Sequence, residues 1–349
     1  MTTHNEPAFV SVIIPCRNET RFLARCLDSV LGGDYPSERM EVLVIDGRST
    51  DGTRDLIAQY AAHDPRVRMI DNPDGITPCA LNRGIEAASG DVIARVDAHA
   101  EIAPDYLSNA IAYLETTGAS NVGGSMRTLP QDHGLWSGAI IAALSHRFGV
   151  GNSYFRIGSA EPRWVDTVFG GCWPREVFEK VGLFNTGLRR SQDMEFSLRL
   201  KAAGLRTLLA PNVRSDYYAR TRLKDFIRHN FVNGQWAVLP FLYSDVIPVS
   251  LRHLIPLVFA LGLLAGAAVL PWTPLLLAAV VVPYALVAFA ASAQVASNDR
   301  APLRLLQMPL IFFSLHFSYG LGSIAGALEA AVIRFGQLRW KEKSCLPQP

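Results

Sequence analysis

The chain has 349 residues, with 33 Lys and Arg against 31 Asp and Glu. That length suggests two structural units, and the near-neutral balance excludes the strongly basic face of a nucleic-acid-binding protein. Charged residues make up only 18%, because charge almost vanishes between Leu254 and Ile333 while the first two-thirds has an ordinary soluble composition.

The N-terminus, Met1 to Phe9, is polar and has no apolar signal stretch, so the soluble half is expected to face the cytoplasm. Val10–Ile14 is a β-branched run typical of a buried strand, ending at Pro15. Phe22, Leu23, Cys26, Leu27, Val30 and Leu31 follow at helical spacing. A second strand, Val42–Ile45, ends at Asp46, and a helix follows from about Thr53 to Ala62. Val67–Ile70 is a third strand, with a helix from about Pro78 to Ala88, and Val92–Val96 is a fourth, ending at Asp97. Strands alternating with helices imply a mostly parallel sheet covered on both faces. In such sheets ligands bind beyond the carboxyl ends of the strands, where Arg17, Glu19, Asp46 and Asp97 fall. No GxGxxG follows the first strand, which argues against a dinucleotide-binding oxidoreductase. The cysteines Cys16, Cys26, Cys79, Cys172 and Cys345 form no CxxC pair and read as small core residues rather than a zinc site.

Between Gly124 and Gly171 the pattern is irregular, and a helix resumes from Asp193 to Ala203, stopped by Gly204. Arg222 to Trp236 is a basic amphipathic stretch suited to a membrane surface. Apolar segments follow at Leu254–Leu270, Thr273–Ala293 and Leu305–Ile333, each near or above the ~20 residues that cross a bilayer. The last carries Pro309, His316 and several glycines, and reads either as a simple span or as a re-entrant or broken one. Arg252, Arg300 and Arg304 place the catalytic half in the cytoplasm by the positive-inside rule, whereas Arg334, Arg339, Lys341 and Lys343 fit that rule poorly if all three segments span. The expected organisation is a catalytic domain at 1–218, a basic interfacial region at 219–250, a membrane domain at 251–335 and a basic tail at 336–349.

Four ordered motifs carry a resemblance. Ser11-Val-Ile-Ile-Pro15-Cys-Arg-Asn-Glu19 and Val44-Ile-Asp46-Gly-Arg-Ser49-Thr-Asp51-Gly52-Thr53 come first, then Ala80-Leu-Asn82-Arg-Gly84 and Gly90-Asp-Val-Ile-Ala-Arg-Val-Asp97. The chain resembles the family 2 inverting glycosyltransferases, which implies an α/β fold of the GT-A type with C-terminal transmembrane helices. The resemblance implies that Pro15, Arg17, Glu19, Asp46, Asn82 and Asp97 bind a nucleotide-sugar donor such as a UDP-sugar. It also implies a divalent cation, Mg²⁺ or Mn²⁺, held where Asp97 opens a DxD motif. Here that motif is Asp97-Ala98-His99, and imidazole suits Mn²⁺ better than Mg²⁺.

Ser191-Gln192-Asp193-Met194-Glu195 resembles the family's Glu-Asp motif, with Gln192 in place of Glu and Asp193 as general base, while Glu195 reads as a supporting residue. Gly149-Val-Gly151-Asn152, Val165-Asp166-Thr167 and Gly170-Gly171-Cys-Trp173 resemble the bacterial succinoglycan-biosynthesis glucosyltransferase group. Gly170, Gly171, Trp173 and Gln192 are then expected on the acceptor side. The implied activity is transfer of a hexose to a polyprenyl-linked acceptor at the inner membrane by a multi-pass protein, with the lipid bilayer rather than nucleic acid as partner. Two alternatives stay open: a non-catalytic sugar-nucleotide-binding scaffold, and a processive polysaccharide synthase. The synthases' Gln-x-x-Arg-Trp motif is replaced here by Val232-Asn-Gly-Gln235-Trp236.

Overall fold

The computed structural model describes residues 6–242 and 253–334. Arg252, Arg339, Lys341, Lys343, the 336–349 tail and the end of the 219–250 region lie outside the described residues. The described residues divide into two compact units, one of 6–127 and 158–217, the other of 128–157, 218–242 and 253–334.

In the first unit β1 (Val10–Cys16) leads into α1 (Leu23–Leu31), β2 (Met40–Asp46) into α2 (Thr53–His63) and β3 (Val67–Asp71) into α3 (Thr77–Ala87). β4 (Val92–Arg95) closes this series, and the four strands run parallel in the order β3-β2-β1-β4. All seven residues of β2 are buried, as expected for a strand covered on both faces. The period-2 alternation sorts the side chains. Val12 and Ile14 join Leu23, Leu27 and Val30 of α1, whereas Ile13 joins Leu81 and Ile85 of α3 on the other face.

The other half of the sheet was not legible as parallel repeats, and it is antiparallel. β5 (Ala100–Ile102), α4 (Tyr106–Thr117) and β6 (Asn121–Pro130) come next, followed after α5 (Ser137–Leu144), α6 (Arg147–Val150) and α7 (Tyr154–Ile157) by β7 (Arg163–Val165) and β8 (Phe169–Pro174). α8 (Glu176–Val181), α9 (Gln192–Ala202) and β9 (Thr207–Ala219) complete it. β8 inserts antiparallel beside β4, and the order continues β8-β6-β9-β5, with β7 also on β9. Cys16, Cys26 and Cys172 are buried thiols in this unit.

Residues 128–157 do not follow the contiguous boundary expected at 218. Ala139, Ile140 and Ala143 of α5 pack with Phe226 of α10 (Leu223–Val238), with Ala291 and Val295 of the helix Leu275–Asn298, and with Met308, Ile311 and Phe312 of the helix Arg304–Arg334. The apolar segments form α11 (Ile255–Val269), α12 (Leu275–Asn298) and α13 (Arg304–Arg334). α12 and α13 are long and apolar enough to cross a membrane, while α11 at 15 residues is shorter. α13 runs as one continuous helix with Pro309 inside it, at the cost of one hydrogen bond of the ladder.

Its glycines explain the continuity, because they are packing positions rather than breaks. A Cβ on Gly322 would stand 1.9 Å from the Phe231 carbonyl oxygen, and one on Gly234 would stand 1.9 Å from that of Tyr319. α10 and α13 therefore approach backbone to backbone. α10 buries Phe226, Asn230, Gly234, Trp236 and Ala237 and exposes Lys224, Arg228 and His229 together with the apolar Ile227. His316 is held on both sides of its ring, by the Tyr284 hydroxyl at 3.0 Å and the Phe148 carbonyl at 2.9 Å. It fastens the α6 segment to α12 and α13 and satisfies its own polar atoms within an apolar helix.

Candidate active site

The parallel strands deliver their polar residues to one edge of the first unit. Asp46, at the end of β2, is fully buried, accepts from Arg54 at 2.7 Å and receives the Ser49 amide at 3.2 Å. Arg54 also holds Asp71, the last residue of β3, at 2.7 Å. Asp46 thus organises Arg54 and the Ser49 turn. Asp51 accepts from the backbone amides of Thr20 and Thr53. Burial alone would raise its pKa, but these bonds and the two threonine hydroxyls hold it well below the usual carboxylate range.

Pro15 lies opposite Ile45 in the β1–β2 ladder, and Arg17 follows, donating to the Gly75 carbonyl at 3.1 Å. Gly75 has φ +66°, and a Cβ there would sit 2.9 Å from Arg17 Nη1, so this turn needs glycine. Glu19 starts the turn into α1, and its Oε1 lies 3.1 Å from His99 Nδ1. His99 also stands edge-on to Tyr217, with ring centroids 5.0 Å apart.

Asp97 and Asp193 meet at a residue that sequence reasoning missed. Arg95 is 6% exposed. Its Nε donates to Asp97 Oδ1 at 2.9 Å and its Nη1 to Asp193 Oδ1. Burial pulls the guanidinium pKa down, but the two carboxylates more than offset it and keep Arg95 charged. Desolvation raises the Asp193 pKa from its ordinary value although the side chain is only partly covered; Arg95 opposes this and the Asp97 charge adds to it. The signal was present as a charged residue inside a strand that otherwise reads as buried, since a buried arginine demands carboxylates.

α9 begins at Ser191, whose φ of +62° is unusual for a residue with a side chain. Asp193 follows on the first turn and is partly exposed. Glu195 is buried and pairs with Arg199 at 2.7 Å, and Arg199 in turn donates to the carbonyls of Val181 and Leu183. That network fixes α9 against the loop before it, in keeping with a supporting role for Glu195. Gln192 is buried, and its Oε1 meets no hydrogen-bond donor among the described residues.

Four expected ligand residues hold structural positions. Asn82 engages both ends of its amide with the Phe184 backbone. Trp173 is 3% exposed and packs among Phe178, Phe184 and Phe196, so its ring belongs to the core rather than to a sugar face. Gly170 and Gly171 have φ +63° and +130°, and a Cβ on Gly170 would sit 2.8 Å from the Arg95 carbonyl. They let β8 close against Arg95.

Among the described residues no three His, Cys, Asp or Glu side chains gather as a metal site. Asp97 and His99 would supply part of a coordination shell. Phosphate and water oxygens would have to complete it. This donor set fits a cation held jointly with a diphosphate.

Residues 11–182 match the model of glycosyl transferase family 2. Over 251 residues the chain is 30% identical to succinoglycan biosynthesis protein ExoA of Rhizobium meliloti (strain 1021), spanning 71% of this chain and 74% of that protein. The chain belongs to glycosyl transferase family 2. It is a glycosyltransferase. The chain is also 31% identical, over 65% of its length and 72% of that protein's, to a dolichyl N-acetyl-alpha-D-glucosaminyl phosphate 3-beta-D-2,3-diacetamido-2,3-dideoxy-beta-D-glucuronosyltransferase of Methanococcus voltae. Among solved structures, mannosyltransferase PcManGT from Pyrobaculum calidifontis, in complex with GDP-Man and Mn²⁺, superposes with a TM-score of 0.58 at 22% identity. It covers 93% of this chain and 88% of its own. GalNAc-T7 with UDP, GalNAc and Mn²⁺ gives a TM-score of 0.50 at 18% identity over 72% of this chain and 53% of its own. Both confirm the GT-A fold of this family 2 glycosyltransferase.

Proposed function

We infer that this glycosyltransferase moves a hexose, with inversion, from a nucleotide-sugar to a lipid-linked saccharide in the synthesis of an exported or cell-surface glycan. The observation that carries the reading is Asp193, partly exposed beside the Arg95–Asp97 pair and raised in pKa. A carboxylate so placed suits the proton transfer that an attacking hydroxyl requires. In this reading Asp193 takes the acceptor proton as the new C–O bond forms at the anomeric carbon. The bond to the diphosphate breaks on the opposite face, and the nucleoside diphosphate leaves.

Arg17, Glu19 and Asp97 would face the donor, and Gln192 the acceptor. Pro15 and Asp46 would shape the nucleotide pocket from within the sheet edge. A divalent cation, when bound, would neutralise diphosphate charge; Asp97 and His99 are the residues to hold it, and Mn²⁺ accompanies both structural neighbours. Those neighbours hold GDP-Man and UDP, so uridine and guanosine donors are the first to test.

A polyprenyl acceptor cannot leave the bilayer, and α12 and α13 suit an enzyme that works there. The relative from Methanococcus voltae, named for acting on a dolichyl phosphate sugar, supports a lipid-linked acceptor, and the one from Rhizobium meliloti, named for succinoglycan biosynthesis, supports a role in making a glycan. The catalytic unit would face the cytoplasm, where nucleotide-sugars are made. The test is a screen of UDP-, GDP- and dTDP-sugars in membranes containing the protein, with a polyprenyl-pyrophosphate sugar as acceptor. Consumption of one donor with formation of a longer lipid-linked saccharide is expected. Failure to consume any donor with any divalent cation would favour the scaffold alternative.

A further inference from the structure

We propose that Arg95 couples the donor side of the site to the base, so that binding at Asp97 and the state of Asp193 are linked through one guanidinium. The inference rests on the proposed roles of Asp97 and Asp193 and adds a residue and a direction of influence to them.

Arg95 cannot be replaced by water or leave its place. It stands in the sheet opposite Ile13 on one side and Gly171 on the other, and it is almost wholly buried. The missing side chain of Gly170 lets β8 lie against its carbonyl, which closes the strand around it. The guanidinium is a rigid fork with donors at fixed separation. One edge is held by Asp97, two residues along the chain, and Nη1 by Asp193, 98 residues along it. One positive charge therefore serves two carboxylates.

Sharing has a consequence. A ligand that draws on the Asp97 carboxylate weakens its claim on Arg95 and leaves Asp193 as the dominant partner. Conversely, if Asp193 loses its charge, Arg95 turns wholly to Asp97, and any cation at Asp97, with the nucleotide it holds, must compete with it. Linkage makes the two effects equal in size. Lysine would keep the charge but lose the fork, so it would serve one carboxylate at a time.

The test is a binding cycle that needs no turnover. Full-length protein in lipid nanodiscs is titrated with UDP, GDP and dTDP, each with Mn²⁺, and the tightest nucleotide is carried through the series. Wild type is compared with Asp193→Asn, Arg95→Lys, Arg95→Gln and the two double variants. Asp193→Asn is expected to weaken nucleotide binding by about fivefold or more while Arg95 is present, the lower range of typical coupling. In either Arg95 variant the same change should have no effect beyond error.

Unchanged affinity in Asp193→Asn would overturn the proposal, as would an equal loss with and without Arg95, which would mean that Asp193 touches the nucleotide directly. If none of the three nucleotides binds the wild type, the donor reading falls and this inference with it. A second cycle leaves Arg95 in place, in case its variants do not fold. Asp97→Asn and Asp193→Asn, alone and together, should shift the thermal midpoint non-additively because they share one partner. Strict additivity would overturn the coupling.

Discussion

Asn82 holds Phe184 by both ends of its amide: Nδ2 donates to the Phe184 carbonyl and Oδ1 accepts from its N–H, each at 2.9 Å. Phe184 stacks on Phe196 of α9 with centroids 4.4 Å apart, so a residue of α3 helps to place the helix that carries Asp193. Asn82→Ala would strand two backbone groups, at roughly 1–3 kcal/mol each where they stay buried. Asn82→Asp should fall between, because a carboxylate can accept from the Phe184 N–H but cannot donate to its carbonyl. Thermal denaturation of the full chain measures both, alongside nucleotide titration. Loss of nucleotide binding with unaltered stability would return Asn82 to the donor pocket.

Asp193→Asn should lower turnover by roughly 10²–10⁴-fold, the usual contribution of a general base, and leave the fold intact. The pH dependence has a definite sign. A base works deprotonated, and burial raises the Asp193 pKa. Turnover should therefore be lost as pH falls through a value above the ordinary aspartate figure of about 3.9. A plot of log kcat against pH gives the acidic limb directly. A limb at or below the ordinary value would show that another group is the base.

His99 should govern the choice of metal. Chelation is expected to abolish turnover, and Mn²⁺ to restore it better than Mg²⁺. Because Mg²⁺ favours oxygen ligands, His99→Asp should shift the ratio of Mg²⁺- to Mn²⁺-supported rates towards Mg²⁺. An unchanged ratio would mean that His99 has a structural role beside Glu19 and Tyr217, at 3.1 Å and 5.0 Å, and does not bind the metal.

The close approach of α10 and α13 gives a stability prediction. Gly322→Val would force atoms against the Phe231 carbonyl, where a Cβ already stands at 1.9 Å. A loss of 1–3 kcal/mol or more is the usual scale of such overpacking. Gly134→Ala is the control, since its Cβ would meet nothing closer than Ser137 Oγ at 3.7 Å. Thermal unfolding in detergent should separate the two variants clearly, and equal midpoints would refute the packing account.

By itself, the sequence determined the parallel half of the sheet, the family motifs along it and the apolar helices, because each is written in local periodicity or in residues close together. It also marked Asp97 and Asp193, but as two separate motifs. Only the tertiary structure placed Arg95 between them, since a buried charge advertises its need for a partner and not which distant segment will supply one. The same limit hid the antiparallel insertion of β8, whose pairing with β4 joins residues far apart in the chain. It also concealed the assignments of Asn82 and Trp173, whose polar or aromatic character suits a pocket and a core equally well. The glycines of α13 carried the opposite ambiguity. A glycine breaks a lone helix but lets two helices touch, and only the neighbouring backbone of α10 decides which.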